Sequence, residues 1–368
     1  MHWYEIDEIE EIDSPSLVLY EDLMNKNIEK MIDMVHGETE KLMLHVKTNK
    51  MPKVIERMIS YGIPHFKAST IAEAELASQQ NAKSVLIAHQ LVGPKIKRFG
   101  ELVKQYPKTL FSCLIDNEES LAQMNVIAKS SGLNFGFYID INTGMNRSGI
   151  VLGQKLDLLL NNLYKYKSLN LNGLHAYDGH IHTQNFEERQ QNIDNEFTSV
   201  EMFFESLKIK YPGIKLVCGG TPAFTSHLLH TQRICGPGTC VFWDWGYADM
   251  LPEQTFDTAV LIVTRVISKP TEGIIAIDLG HKAVASENPI NKRVKFLNLD
   301  NHELLSQSEE HGVLKVENWE KIKVGDVFYG IPYHICPTIN LHDEVSVIQK
   351  HRKIDDWQIT GRKRKINI

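Results

Sequence analysis

From residue 42 onward, short apolar runs alternate with longer amphipathic segments. The runs at 42–46, 65–68, 84–88, 109–115, 134–141, 171–177, 215–218 and 233–235 read as strands. The segments between them, at 51–60, 70–79, 94–105, 117–129, 153–166, 186–210 and 222–229, suit helices. Eight strands alternating with helices predict an α/β fold, a closed (β/α)8 barrel. An open doubly wound sheet would usually carry a G-x-G-x-x-G turn after an early strand, and the sequence has none.

The texture changes near residue 250. The runs at 260–267, 273–278, 293–299, 312–316 and 345–349 are β-rich, separated by Gly, Pro and Asn, with no strong helical period between them. The expected organisation is a barrel over 14–250 and a C-terminal, mostly antiparallel β domain over 251–368. An early strand at 16–20 precedes a helix at 21–35, and residues 1–20 are candidates to pair with the second domain.

Composition narrows the function classes. With 42% hydrophobic and 23% charged residues over 368 positions, the chain can bury a substantial core. A formal charge of -6 gives no electrostatic case for nucleic acid or an anionic membrane. The basic run Gly361-Arg362-Lys363-Arg364-Lys365 reads as a solvated tail. The acidic N-terminus lacks the apolar core of a signal peptide, and no window approaches 18 apolar residues. Five scattered cysteines suggest no disulfide framework. The expectation is a soluble, cytoplasmic protein.

A barrel gathers its functional residues at the C-terminal ends of its strands. The first strand runs to Lys47, a lysine able to hold a carbonyl cofactor as a Schiff base if burial lowers its pKa. The fifth ends in Asp140, followed by Thr143-Gly144-Met145-Asn146-Arg147. The sixth leads into His175-Ala176-Tyr177-Asp178-Gly179-His180-Ile181-His182. Gly219-Gly220-Thr221-Pro222 and Gly236-Pro237-Gly238-Thr239 follow the seventh and eighth. Backbone N–H groups in such turns make an anion cradle, with Thr221 and Thr239 adding hydroxyls. A phosphate cradle opposite a strand-one lysine points to pyridoxal 5′-phosphate. Arg147 is a candidate contact to the cofactor's phenolic oxygen or to a substrate carboxylate; its alternative is a rim ion pair. Tyr177 is a candidate ring contact. His180 is favoured as a base, with His182 solvated; a shared metal role for the two stays open.

A second candidate site lies in the β domain, at Pro332-Tyr333-His334-Ile335-Cys336-Pro337-Thr338-Ile339-Asn340-Leu341-His342-Asp343. In an extended segment His334 and Cys336 project from one face. A His nitrogen with a Cys thiolate suits Zn²⁺, and two protein ligands leave room for water or a substrate hydroxyl.

The pieces HVKTNK, GMNRSG, HAYDGH, GGTP, PGT, SEEHG and PYHICPTINLHD occur in that order. Together they resemble the metal-activated pyridoxal-phosphate enzymes of the D-threonine aldolase and D-serine dehydratase group, of the alanine racemase-like fold type. The resemblance spans 14–347. It implies a barrel, a C-terminal β domain, a homodimer, and a small D-3-hydroxy amino acid as substrate. Lys47 then corresponds to the Schiff-base lysine, and Tyr177, Thr221, Gly238 and Thr239 to cofactor contacts, with Arg147 beside the ring. His334 and Cys336 correspond to the ligands of a divalent metal, Zn²⁺ or Mn²⁺. Aldolase members of the group are expected to carry Asp at the position of Cys336, and dehydratase members Cys, whereas the flanking PTINLHD is closer to the aldolases. The leading expectation is an aldolase giving glycine and an aldehyde. The alternative is a dehydratase acting on D-serine or D-3-hydroxyaspartate, giving a 2-oxo acid and ammonia. An amino-acid racemase or a non-catalytic cofactor-binding protein ranks below both.

Overall fold

The first strand, β1 (Ser16–Tyr20), joins a sheet completed much later in the chain, whereas the next eight strands form a parallel sheet of their own. These eight are β2 (Met43–His45), β3 (His65–Ala68), β4 (Ser84–Gln90), β5 (Leu110–Ile115), β6 (Phe135–Ile141), β7 (Leu169–Ala176), β8 (Lys215–Cys218) and β9 (Arg233–Cys235). Each pairs in parallel with the next. The ring closes through a bridge between Leu42 and Cys235 and through the His45 N–H, which donates to Pro237 O at 2.8 Å. Strands wrapped by helices are buried on both faces, so they read as continuous apolar runs; β6 is buried along its whole length. Met43, Leu86, Leu114, Tyr138 and Val217 meet inside, so the barrel is a packed core with chemistry only at its mouth.

The computed structural model describes residues 2–368. The chain forms two units. One is the barrel, made of Met31–Lys47, Val54–Gly238 and Lys363–Ile368. The other takes the residues up to Lys30, Thr48–Lys53 and Thr239–Arg362.

In the second unit β1 pairs antiparallel with β10 (Val260–Thr271) and parallel with β16 (Glu344–Gln349). The sheet continues through β11 (Ile274–Ile277), β14 (Gly312–Val316) and β13 (His302–Gln307) on one side, and β17 (Arg352–Gln358) on the other. β15 (Val327–Pro332) pairs with β10 and β12 (Val294–Phe296). Val18, Tyr20, Leu261, Val263, Tyr329 and Ile348 pack into one cluster of this unit. The strands β13, β15 and β17 were not expected from the sequence. Among the described residues no helix is long and apolar enough to cross a membrane.

One local expectation is corrected. The stretch carrying His334 and Cys336 is not extended throughout: His334 is the N-terminal flanking residue of a short helix, Ile335–Ile339, and Cys336 lies in its first turn. Asp244 accepts the Ile335 N–H at 3.0 Å, and the Thr338 hydroxyl donates to His334 O at 2.8 Å. Pro337 is tolerated there because first-turn N–H groups have no helical acceptor.

Candidate active site

The barrel mouth holds a cavity of about 430 Å³ lined by His45, Lys47, Lys67, Arg147, His175 and Tyr177, among others. That volume suits a small cofactor or substrate. Lys47 follows β2 by two residues, and its N–H donates to His45 Nδ1 at 3.3 Å. The other His45 nitrogen lies 3.3 Å from Ser69 Oγ.

His175, near the end of β7, is fixed by Asp140 on β6: Nδ1 lies 2.7 Å from Asp140 Oδ1. Asp140 Oδ2 also accepts from Gln90 Nε2 (2.7 Å) and Ser148 Oγ (2.9 Å). Burial lowers the pKa of His175 and outweighs the opposing Asp140 carboxylate. The neutral ring keeps its proton on Nδ1, and the buried Nε2 has no protein partner. The Arg147 guanidinium lies over the Tyr177 ring, 4.9 Å from its centroid, and Lys67 Nζ stands 5.8 Å from the same centroid. No carboxylate side chain is among those lining this cavity in the described residues.

The two glycine turns are stitched together, since Gly238 N–H donates to Thr221 Oγ1 at 3.2 Å. Gly219 adopts a left-handed φ of +58°, and a Cβ there would stand 2.5 Å from the His227 ring. His227 is itself locked: Nε2 lies 2.7 Å from Asp178 Oδ2, and Nδ1 accepts from Arg233 Nη1 at 3.0 Å. Arg233 Nε donates onward to Glu201 at 2.8 Å. A buried polar chain thus buttresses the turn from behind.

In the second unit, Glu287 Oε1 lies 2.6 Å from His334 Nδ1. Cys336 Sγ lies 3.1 Å from Thr48 Oγ1 and 3.4 Å from Thr239 Oγ1. Burial depresses His334, but Cys336, Glu287 and Asp244 together outweigh it and push its pKa up to about 9. Desolvation raises Asp244 to about 6 even though it accepts two backbone N–H groups. Among the described residues no cluster of three or more His, Cys, Asp or Glu side chains is arranged to hold a metal, so His334 and Cys336 stand as a pair.

The structure therefore brings Lys47, Arg147 and Tyr177 to one cavity, and Gly220, Thr221 and Gly238 to adjoining turns of the barrel. Thr239, which follows Gly238 in sequence, lies beside Cys336 in the second unit. His180 Nε2 pairs with Glu196 Oε1 at 3.0 Å, and its buried Nδ1 has no protein partner. His182 is exposed and donates to His180 O at 2.8 Å, so the two rings do not converge. Sequence reasoning did not single out Lys67, His45, Asp244, Glu287 or the Asp178–His227–Arg233 chain. Lys67 left a signal, a lysine inside the short predicted strand 65–68; Glu287, remote in sequence, left none.

The family model described as the alanine racemase N-terminal domain matches residues 21–244, and that described as a putative serine dehydratase domain matches 259–348. The 3-hydroxy-D-aspartate aldolase of Paracoccus denitrificans (strain Pd 1222) is 24% identical over 365 residues, 96% of this chain and 92% of that protein. The crystal structure of D-threonine aldolase from Filomicrobium marinum superposes with a TM-score of 0.85 at 22% identity, covering 95% of each chain. D-threo-3-hydroxyaspartate dehydratase of Delftia sp. (strain HT23) is 20% identical over 370 residues, 94% of this chain and 97% of that protein. A Cys-to-Ala variant of a D-threo-3-hydroxyaspartate dehydratase, solved in a metal-free form, superposes with a TM-score of 0.81 at 19% identity, covering 96% of this chain and 98% of that one.

Proposed function

The chain belongs to the family of the alanine racemase N-terminal domain, and we propose that it is a lyase dependent on pyridoxal 5′-phosphate and a divalent metal ion, cleaving D-3-hydroxy amino acids to glycine and an aldehyde. The observation that carries this reading is the His334–Cys336 pair, with Glu287 holding the far nitrogen of the imidazole. Racemisation needs no cation beside a β-hydroxyl, whereas breaking a bond next to that hydroxyl gains from one.

The barrel cavity fits the phosphorylated cofactor. Its lining offers two amines and a guanidinium, and His175 leaves a buried nitrogen unpartnered. At Gly219 and Gly220 a Cβ would crowd His227 and Tyr177, so both turn positions require glycine. Lys47 would hold the cofactor covalently. Gly220, Thr221, Gly238 and Thr239 would bind its phosphate, and Tyr177 and Arg147 would orient its ring. Bound there, the cofactor supplies the electron sink for cleavage next to the α-carbon. His180, oriented by Glu196, would serve as the base for the β-hydroxyl proton.

The donor set of His334 and Cys336 fits Zn²⁺ or Mn²⁺, with the sulfur favouring the former. The Glu287 contact is the outer hydrogen bond that a ligating histidine usually makes. An ion held there would supply positive charge for the substrate β-oxygen. In this reading the barrel unit carries Lys47, Arg147 and Tyr177 and the second unit the metal pair, in a cytoplasmic homodimer whose mass sedimentation would report.

Cys336 favours a second reading, the dehydratase, because a thiol is the ligand expected of the dehydratase side of the group. Incubation of the loaded protein with D-threonine separates the two. Glycine and acetaldehyde in equal amounts support the aldolase; 2-oxobutyrate and ammonia overturn it in favour of the dehydratase.

A further inference from the structure

Lys67 is the second amine of the cavity and has been given no specific contact above. It sits at the third position of β3 and is 2% exposed. Its Nζ makes one hydrogen bond among the described residues, donated to Gly219 O at 3.1 Å, and no ion pair. Asp140 and Asp178 attract it from farther off, but those carboxylates are engaged with His175 and His227. A buried ammonium held by one carbonyl is costly to keep charged.

The fold also clears space for this amine. A Cβ on Gly236 would stand 2.6 Å from Lys67 Nζ and 2.8 Å from its Cδ. The side chain therefore reaches from β3 to the turns that follow β8 and β9, the same turns read above as the phosphate cradle. Burial, reinforced by repulsion from Lys47, brings the Lys67 pKa down to about 8, so it remains mostly charged at neutral pH and is sensitive to what binds beside it.

We propose that Lys67 is a positioning residue for the cofactor, a buried positive charge between the Gly219 and Gly236 turns that holds the anionic groups of pyridoxal 5′-phosphate in the barrel mouth. This rests on the cofactor reading above and adds a cationic contact that the resemblance did not supply.

The test is a titration of the metal-loaded apoprotein with pyridoxal 5′-phosphate, followed by absorbance, for wild type, Lys67→Met and Gly236→Ala. Lys67→Met weakens the dissociation constant about tenfold or more, as expected for losing one buried charged contact. The Lys67→Met apoprotein melts at the same temperature as wild type or higher, because an unpaired buried charge has been replaced by an apolar chain. Gly236→Ala pushes the flexible end of Lys67 aside and weakens binding in the same direction while keeping the lysine. Wild-type affinity also falls as the pH rises through about 8, where Lys67 loses its proton.

That fall is smaller in Lys67→Met. The other groups facing the amine are Lys47, His175 with Asp140, Arg147, Tyr177, Cys218 and Asp178. They are common to both proteins, so the difference isolates Lys67. Equal dissociation constants with the same pH dependence overturn the proposal, as does a Lys67→Met apoprotein that binds weakly only because it melts well below wild type. A wild type that takes up no pyridoxal 5′-phosphate overturns the cofactor reading instead.

Discussion

Glu287 Oε1 lies 2.6 Å from His334 Nδ1, so the opposite ring nitrogen is the one that would ligate a metal once it loses its proton, in place of the present hydrogen bond to Cys336. Removing such an outer partner lets the ring rotate and lowers its basicity. Glu287→Ala is expected to weaken metal binding about 10–100-fold. Cofactor uptake should not change, because that variant leaves the barrel residues intact. Competition against a zinc chelator measures the first effect and absorbance the second; unchanged metal affinity would contradict the assignment of His334.

The chain from Asp178 through His227 to Arg233 predicts a stability effect. Asp178 and His227 are each only 1% exposed, so Asp178→Ala leaves a buried imidazole N–H without an acceptor. The expected loss is about 1–3 kcal/mol, read from denaturant unfolding of the apoprotein. Because His227 lies against the Gly219 turn, the same variant should weaken the cofactor's phosphate contacts. A loss of stability with unaltered cofactor affinity would separate the two roles and remove the second.

Acid lability follows from buried neutral histidines. Burial lowers the pKa of His65, His175 and His342 from the ordinary 6.5. The unfolded chain then binds protons at a pH where the folded chain does not, so this contribution is present above 6.5 and is lost as the pH falls below it. His334, held up to about 9, acts with the opposite sign, so the comparison should be made between variants. The apoprotein's melting temperature should drop below pH 6.5, and His175→Gln should flatten part of that drop. An identical pH profile in the variant would show that His175 titrates normally.

The barrel was legible because strands covered on both faces are largely apolar, and β5 and β6 could be found by that rule alone. The rim residues Lys47, Arg147 and Tyr177 followed from strand polarity, since the C-terminal ends of barrel strands are where function collects. Strands of the second unit were harder to read. β17, Arg352–Gln358, is mostly polar because it pairs on only one side, and β15 is interrupted by Gly330. A Cβ at Gly330 would stand 2.4 Å from Val294 Cγ2, so that glycine marks close strand packing rather than a turn. The His334 segment was read as extended because nothing nearby in sequence announces its cap; Asp244 comes from ninety-one residues away. Lys67 is hidden in the sequence because a strand interior is usually core, and only burial without a counter-charge marks it as different.

Two lysines, Lys47 and Lys67, line one cavity with separate proposed tasks, covalent attachment for Lys47 and charge positioning for Lys67. The most direct measurement is borohydride reduction of the cofactor-loaded protein, followed by peptide mass mapping. A single phosphopyridoxyl adduct is expected on Lys47, lost in Lys47→Ala and still formed in Lys67→Met at saturating cofactor. An adduct on Lys67, or no stable adduct on either lysine, would contradict it.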